Sequence, residues 1–149
     1  MELKFNSAIC TSMEQSERLL ALGLKKDTAD MVYKPHCDYH DEVINYCEPT
    51  PMVEPLRKYI IADDIDFRYY IPAWSLSRLI EILPSHNIYE DGYGEEWCRY
   101  LKVSSKLVEY DTYPLDVVQF DKCDNLYDNI IDCIEWVIKE GFFNKEYLE

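Results

Sequence analysis

Apolar side chains recur at helical spacing in three stretches of the chain. The first covers about residues 12–22, where a hydroxyl side chain with an acid or amide three positions on favours a helix start and Gly23 favours its end. The second opens near Pro72 and repeats apolar residues at i, i+3, i+4 and i+7 before a closing proline. The third covers about 125–140 and ends at Gly141, so the pattern predicts about three helices.

Strand-favouring residues fill the intervals between these helices. One short run precedes an irregular, proline-rich connection at about 35–55, where the proline density argues against regular elements. Two later runs are joined by Ser104-Ser105, a length that suits a hairpin turn and predicts an antiparallel pair. The β-leaning runs are 31–33, 57–61, 67–71, 97–103 and 106–111.

This order of elements predicts an α+β fold with about three helices packed on a small antiparallel sheet. At 149 residues the chain has the length of one ordinary domain, so we expect a single domain over 1–149. The helical spacing and the predicted hairpin also predict which residues form the hydrophobic core. Its predicted members are Leu20, Leu76, Leu79, Ile80, Leu83, Leu101, Leu126, Ile130, Ile134 and Val137.

The excess of acidic over basic residues limits the classes of partner that the chain is expected to bind. The net charge is −14, and residues 61–149 carry 8 basic against 19 acidic side chains, a balance that repels phosphate backbones and anionic lipid headgroups. We therefore expect no direct nucleic-acid partner and no membrane partner. The chain starts without a secretion-signal pattern and its six cysteines are dispersed, which favours free thiols and a cytoplasmic location.

Motifs for nucleotide chemistry are absent from the sequence. Only 4 glycines are present, and the Asp91–Gly94 segment lacks the strand-to-helix setting of a phosphate-cradling loop. No nucleophile signature surrounds the serines. These absences favour a non-enzymatic protein without a cofactor over an enzyme.

One segment nevertheless contains several side chains of the types that bind metal ions. His36, Cys37 and His40 lie close together, Cys47 follows, and imidazole with thiolate is an ordinary zinc ligand set. The predicted metal ligands are His36, His40 and Cys47. This segment is either a solvated polar loop or a functional site. In the second case the chain is a metal-binding protein, or a small hydrolase in which a cysteine of this region is the nucleophile and a histidine its base.

The last predicted helix carries carboxylates at i, i+4, i+8 and i+11. Asp124, Asp128, Asp132 and Glu135, here called the acidic stripe, lie opposite the apolar face of that helix. Together with 13 tyrosines, this pattern predicts a small regulatory or accessory protein that binds another protein, with a homodimer as a further possibility. A narrower alternative is an inhibitor in which the stripe imitates phosphates and occupies a nucleic-acid-binding protein.

Three stretches of the chain, 10–31, 71–79 and 127–132, resemble small acidic uncharacterised proteins of Bacteroidales gut bacteria. The most specific part is the Ile-Pro-Ala-Trp-Ser-Leu segment at 71–76, and the proline-rich stretch at 35–55 matches least. Such proteins are often carried on phage-like or integrative elements. The resemblance implies a bacterial cytoplasmic or mobile-element origin and assigns no activity to any residue.

Overall fold

The computed structural model describes residues 8–36, 44–112 and 116–149, and it confirms the α+β class. These residues form four α-helices and two antiparallel sheets of three and four strands, rather than the one small sheet expected. The chain divides into two compact units, Met1–Arg78 and Leu79–Glu149. Among the described helices, none combines the length and apolar character that crossing a membrane requires.

The first unit contains the three-stranded sheet, in the order β2-β1-β3 with both pairings antiparallel. Helix α1 begins with the predicted capping box, in which Gln15 N donates to Ser12 Oγ and Ser12 N donates to Gln15 Oε1. Gly23 has a φ of +96°, a left-handed conformation that suits the end of α1. The elements are α1 (Met13–Ala21), β1 (Met31–Tyr33), β2 (Thr50–Pro51), α2 (Leu56–Ile61), β3 (Ile71–Ala73) and α3 (Leu76–Ile82), whose last residues belong to the second unit.

Buried polar side chains link the ends of these elements. Trp74 is fully buried, its backbone N–H donates to Thr11 Oγ1 at 3.1 Å and its indole N–H donates to Thr28 Oγ1 at 2.9 Å. Ser75 precedes α3, where its Oγ accepts from Arg78 N at 3.2 Å. Ser75 Oγ also donates to Asp30 Oδ2 at 2.5 Å. These bonds fix the start of α3 beside the segment that leads into β1.

The second unit is a four-stranded antiparallel sheet in the order β4-β5-β6-β7, followed by a long helix. The predicted turn at Ser104-Ser105 does connect an antiparallel pair. Side chains alternate between the two faces of this sheet, so that Val108 and Tyr110 are buried on the face toward the helix while Tyr100 is exposed on the other. The elements are β4 (His86–Glu90), β5 (Glu96–Val103), β6 (Val108–Thr112), β7 (Asp116–Phe120) and α4 (Leu126–Lys139).

Helix α4 packs against β6 and β7 and supplies much of the core of the second unit. Ile130, Ile134 and Val137 are all fully buried, as their spacing predicts. Tyr110 faces the same core, and its hydroxyl donates to Pro84 O at 2.7 Å. Burial raises the pKa of Tyr110 well above its usual range, so this hydroxyl stays protonated.

Several predicted elements were wrong in detail. The β-leaning run at 57–61 is helix α2, and the residues from Pro72 to Ala73, expected to open a helix, belong to β3. Strands β4 and β7 extend the predicted hairpin on both sides. In the core, Leu19 is fully buried in place of the half-buried Leu20. Four other predicted core residues are also half-buried: Leu76, Ile80, Leu101 and Leu126.

Candidate functional site

Three members of the acidic stripe lie on the least buried side of α4. Asp128, Asp132 and Glu135 are half-buried, whereas Ile130 and Ile134 on the opposite side are fully buried. At 100° per residue the three carboxylates fall within one narrow sector of the helix. The structure therefore brings them together on the side that the spacing predicts.

The fourth member of the acidic stripe, Asp124, precedes the helix. Asn125 is the N-cap, and its side chain accepts from Tyr127 N at 2.7 Å, so α4 begins at Leu126. Asp124 is fully exposed, with Lys106 Nζ 4.0 Å from its Oδ1. Its carboxylate thus extends the stripe beyond the helix, next to a lysine that offsets part of its charge.

The stripe also influences a buried thiol. Asp132 Oδ2 accepts a hydrogen bond from Cys123 Sγ at 3.8 Å, and the adjacent Cys133 is fully buried. Burial, with a smaller contribution from the charge of Asp132, raises the pKa of Cys133 well above the ordinary thiol value. Cys133 is therefore a core residue, whereas the neighbouring Asp132 is half-buried and bonds Cys123.

A second candidate site lies in the first unit, where the structure brings His36 and Cys47 together. Pro35 and Tyr46 form an antiparallel bridge, with hydrogen bonds from His36 N to Asn45 O (2.8 Å) and from Cys47 N to Lys34 O (2.9 Å). This pairing places His36 and Cys47 diagonally on one face of the two paired segments. Cys47 Sγ lies 3.6 Å from His36 Nδ1 and 3.9 Å from His36 Nε2.

The third predicted ligand, His40, lies outside the described residues, as does Cys37. Within the described ranges, no group of three or more His, Cys, Asp or Glu side chains is placed to hold a metal ion. His36 is exposed and Cys47 is half-buried, so solvent ions reach both. The described geometry is thus a pair of adjacent nitrogen and sulfur donors at the base of a connection whose sequence holds further donors.

Sequence reasoning missed a cavity of about 340 Å³ beside the end of β1. Val32 pairs with Thr50, while Lys34 bonds Cys47, so Glu48 and Pro49 together oppose Tyr33 in a β-bulge. The lining residues are Ala8, Ile9, Cys10, Tyr33, Glu48 and Pro49. No local pattern predicts this cavity, because it depends on the register of the pairing.

The thiol in this cavity is held in a short chain of hydrogen bonds. Cys10 Sγ donates to Tyr33 Oη at 3.7 Å, and Tyr33 Oη donates to Thr11 O at 2.8 Å. Burial is the main cause that raises the pKa of Cys10 above its ordinary value. Cys10 is therefore a protonated hydrogen-bond donor near neutral pH rather than a nucleophile.

Comparison of the chain with protein-family models, with curated proteins and with solved structures found no match. The resemblance to proteins of Bacteroidales stays a prediction.

Proposed function

We propose that the chain is a non-enzymatic accessory protein that binds a basic protein partner through the acidic stripe. The observation that carries the proposal is the position of Asp128, Asp132 and Glu135 together on the least buried side of α4. Because the opposite side of α4 is fixed in the core, the three carboxylates form an array that is ordered before binding.

The energetics of the helix support the same conclusion. Like charges at i, i+4 destabilise a helix by about 0.2–0.5 kcal/mol per pair, and Asp128 and Asp132 have this spacing. Cationic side chains of a partner would remove that repulsion. The excess of acidic residues over 61–149 adds a long-range attraction that accelerates association at low salt.

The test is capture of partners from a bacterial lysate by the wild type and by charge-reversed variants. In the double variant Asp128→Lys, Asp132→Lys we expect at least a tenfold loss of captured basic partner, and wild-type capture should weaken steeply between low and high salt. The matched control is Glu90→Lys, Glu96→Lys, which makes the same change in net charge at an exposed cross-strand pair of β4 and β5.

The control distinguishes binding through the acidic stripe from a general effect of the negative net charge. Equal loss in both double variants would assign capture to net charge alone, and undiminished capture in the α4 variant would reject the acidic stripe. Because Asp132 is half-buried and bonds Cys123, the milder variant Asp128→Asn, Asp132→Asn is measured beside it, with circular dichroism to check folding.

The same experiment separates the phosphate-imitating form of this proposal from the general one. If the stripe occupies a phosphate-binding surface, double-stranded DNA added to the captured complex will displace the chain from its partner. Capture that DNA leaves unchanged would limit the proposal to a basic partner that does not bind nucleic acid.

Metal binding is the second candidate function, and the His36–Cys47 distance favours it. Zinc binds imidazole nitrogen at about 2.0–2.1 Å and thiolate sulfur at about 2.3 Å, so two such ligands in a tetrahedral site lie about 3.6 Å apart. The distance from His36 Nδ1 to Cys47 Sγ is 3.6 Å. His40, the third predicted ligand, completes the proposed set.

Cobalt(II) titration of the purified chain tests this site, because a thiolate bound to Co²⁺ gives an intense near-ultraviolet absorption band. We expect the band in the wild type, its loss in Cys47→Ala, and at least a tenfold weaker affinity in His36→Ala and His40→Ala. The controls His86→Ala and Cys98→Ala, both in the second unit, should retain it. A missing band in the wild type, or one that persists in Cys47→Ala, would reject the site.

A further inference from the structure

A polar row crosses the buried face of the four-stranded sheet. Asn87 on β4 pairs directly with Arg99 on β5, and Thr112 on β6 pairs with Asp116 on β7. Arg99 Nη2 reaches past β6 to Asp116 Oδ2 at 2.8 Å. The row is enclosed at its β4 and β5 end, since Asn87 is 4% exposed and the Arg99 side chain 12% exposed, whereas the Asp116 side chain on β7 is 39% exposed.

The guanidinium of Arg99 is held in place by its neighbours. Its Cζ lies 3.8 Å from the centre of the Tyr89 ring and 5.8 Å from the Trp136 ring, in addition to the ion pair with Asp116. Its Nε, however, is buried without a hydrogen-bond partner among the residues that the structure describes. The direction of that N–H donor is fixed by the contacts of the rest of the planar group.

Both polar atoms of the Asn87 side-chain amide also lack a hydrogen-bond partner among the described residues. Its Nδ2 and Oδ1 are buried and bond no atom of residues 8–36, 44–112 or 116–149. Asn129, a fully buried asparagine of the same unit, is fully engaged: its Oδ1 accepts from Cys123 N and its Nδ2 donates to Lys106 O and Cys123 O. Native proteins rarely leave buried polar atoms without a partner, so the deficiency at Asn87 points to a bound group.

We propose that Asn87 and Arg99 together bind one internal water molecule through three hydrogen bonds. The water accepts from Arg99 Nε and Asn87 Nδ2 and donates to Asn87 Oδ1, and three bonds are typical of a buried water. An ionised carboxylate has no hydrogen to donate to Asn87 Oδ1, and a metal cation is repelled by the N–H groups. Directly paired residues have Cβ atoms about 4.5–5.5 Å apart, which leaves both side chains within reach of one oxygen.

The bound water makes the polar row continuous from edge strand β4 to edge strand β7. Asn87 is then connected through the water to Arg99, and through Arg99 to Asp116. A slip of one residue in the pairing would turn these groups to the other face and break the chain of bonds. The site thereby selects one register for the whole sheet.

Nuclear magnetic resonance on the ¹⁵N-labelled full chain tests the proposal. We expect dipolar cross-peaks between water and both the Asn87 Nδ2 hydrogens and the Arg99 Nε hydrogen, with the sign that distinguishes contact from chemical exchange. The Asn129 Nδ2 hydrogens, bonded only to protein, are the internal control and should show none. In Asn87→Leu the cross-peak at Arg99 Nε should be lost, and in Asn87→Ser, the variant kept in case the leucine variant fails to fold, it should be retained.

The remaining outcomes each overturn the proposal. Absence of a water contact at Asn87 in the wild type would show that its amide bonds a protein group in solution. A small hydroxyl-bearing molecule that copurifies, detected by native mass spectrometry and by cross-peaks to its carbon-bound hydrogens, would replace water as the ligand. A cross-peak at Arg99 Nε that persists in Asn87→Leu would show that Asn87 does not hold the water.

Discussion

Truncation of Ile134 to alanine is the sharpest test of how α4 holds the second unit together. Ile134 is fully buried at the middle of α4, on the side that also contains Ile130 and Val137. The substitution removes three carbon atoms, which at about 0.8 kcal/mol each is about 2.4 kcal/mol of lost burial, and the residual cavity adds to it. The higher helix propensity of alanine returns about 0.4 kcal/mol, so we expect a net loss of about 3 kcal/mol.

Ile88→Ala is the matched control, because it makes the same chemical change on the open face of the sheet. Ile88 is 55% exposed, so truncation leaves no enclosed cavity and should cost under about 1 kcal/mol. Urea unfolding followed by circular dichroism and by tryptophan fluorescence measures both variants. For a chain of this length, a loss of about 3 kcal/mol corresponds to a melting temperature lower by roughly 6–12 °C.

The result that refutes the reasoning is a small effect at the buried position. If Ile134→Ala costs less than about 0.5 kcal/mol, and Ile130→Ala does the same, the apolar face of α4 is not the core. A loss at Ile88→Ala equal to that at Ile134→Ala would show that the sheet face described as open is covered.

Three further changes test other parts of the fold. Tyr110→Phe leaves Pro84 O without its donor and should lower the free energy of unfolding by about 1–2 kcal/mol, measured by urea unfolding. Ser75→Ala removes the side-chain acceptor at the start of α3 and should cost about 1 kcal/mol, seen as a melting temperature lower by about 2–4 °C. Cys133, whose pKa is raised by burial, should react with iodoacetamide at least 100-fold more slowly than Cys47 in the native protein, measured by mass spectrometry. Above the ordinary thiol pKa, only the unfolded state loses the Cys133 proton, because burial raises the pKa of this thiol in the folded state. The stability that Cys133 contributes is therefore complete below that pH and is lost as pH rises above it. Cys133→Ala should accordingly flatten the fall in the free energy of unfolding above about pH 9.

Local signals explain which elements the sequence could predict. Helix α1 follows from the capping box of Ser12 and Gln15, and α4 from four turns of regular apolar spacing. Helix α2 could not be predicted, because its residues favour strands and only Ile60 is buried, so no helical period is visible. A contact distant in sequence supports α2 instead, since Arg57 Nη1 donates to Asp27 O at 2.6 Å.

The candidate sites show the same division between local and distant information. The acidic stripe lies within one helix, so its spacing alone predicts the side on which its carboxylates lie. His36 and Cys47 are brought together by strand pairing, and so are Asn87 and Arg99. Spacing along the chain cannot reveal such pairs, because the register is decided by packing and by bulges such as the one opposite Tyr33.

The alternation of faces along β5 has a practical consequence for labelling the protein. Arg99 and its neighbours at every second position face the core, whereas Tyr100 and Lys102 between them are exposed on the open face. Tolerance to substitution should therefore rise and fall with a period of two along a single strand. Tyr100 and Lys102 are the positions at which a fluorophore or cross-linker can be attached while the polar row beneath stays intact.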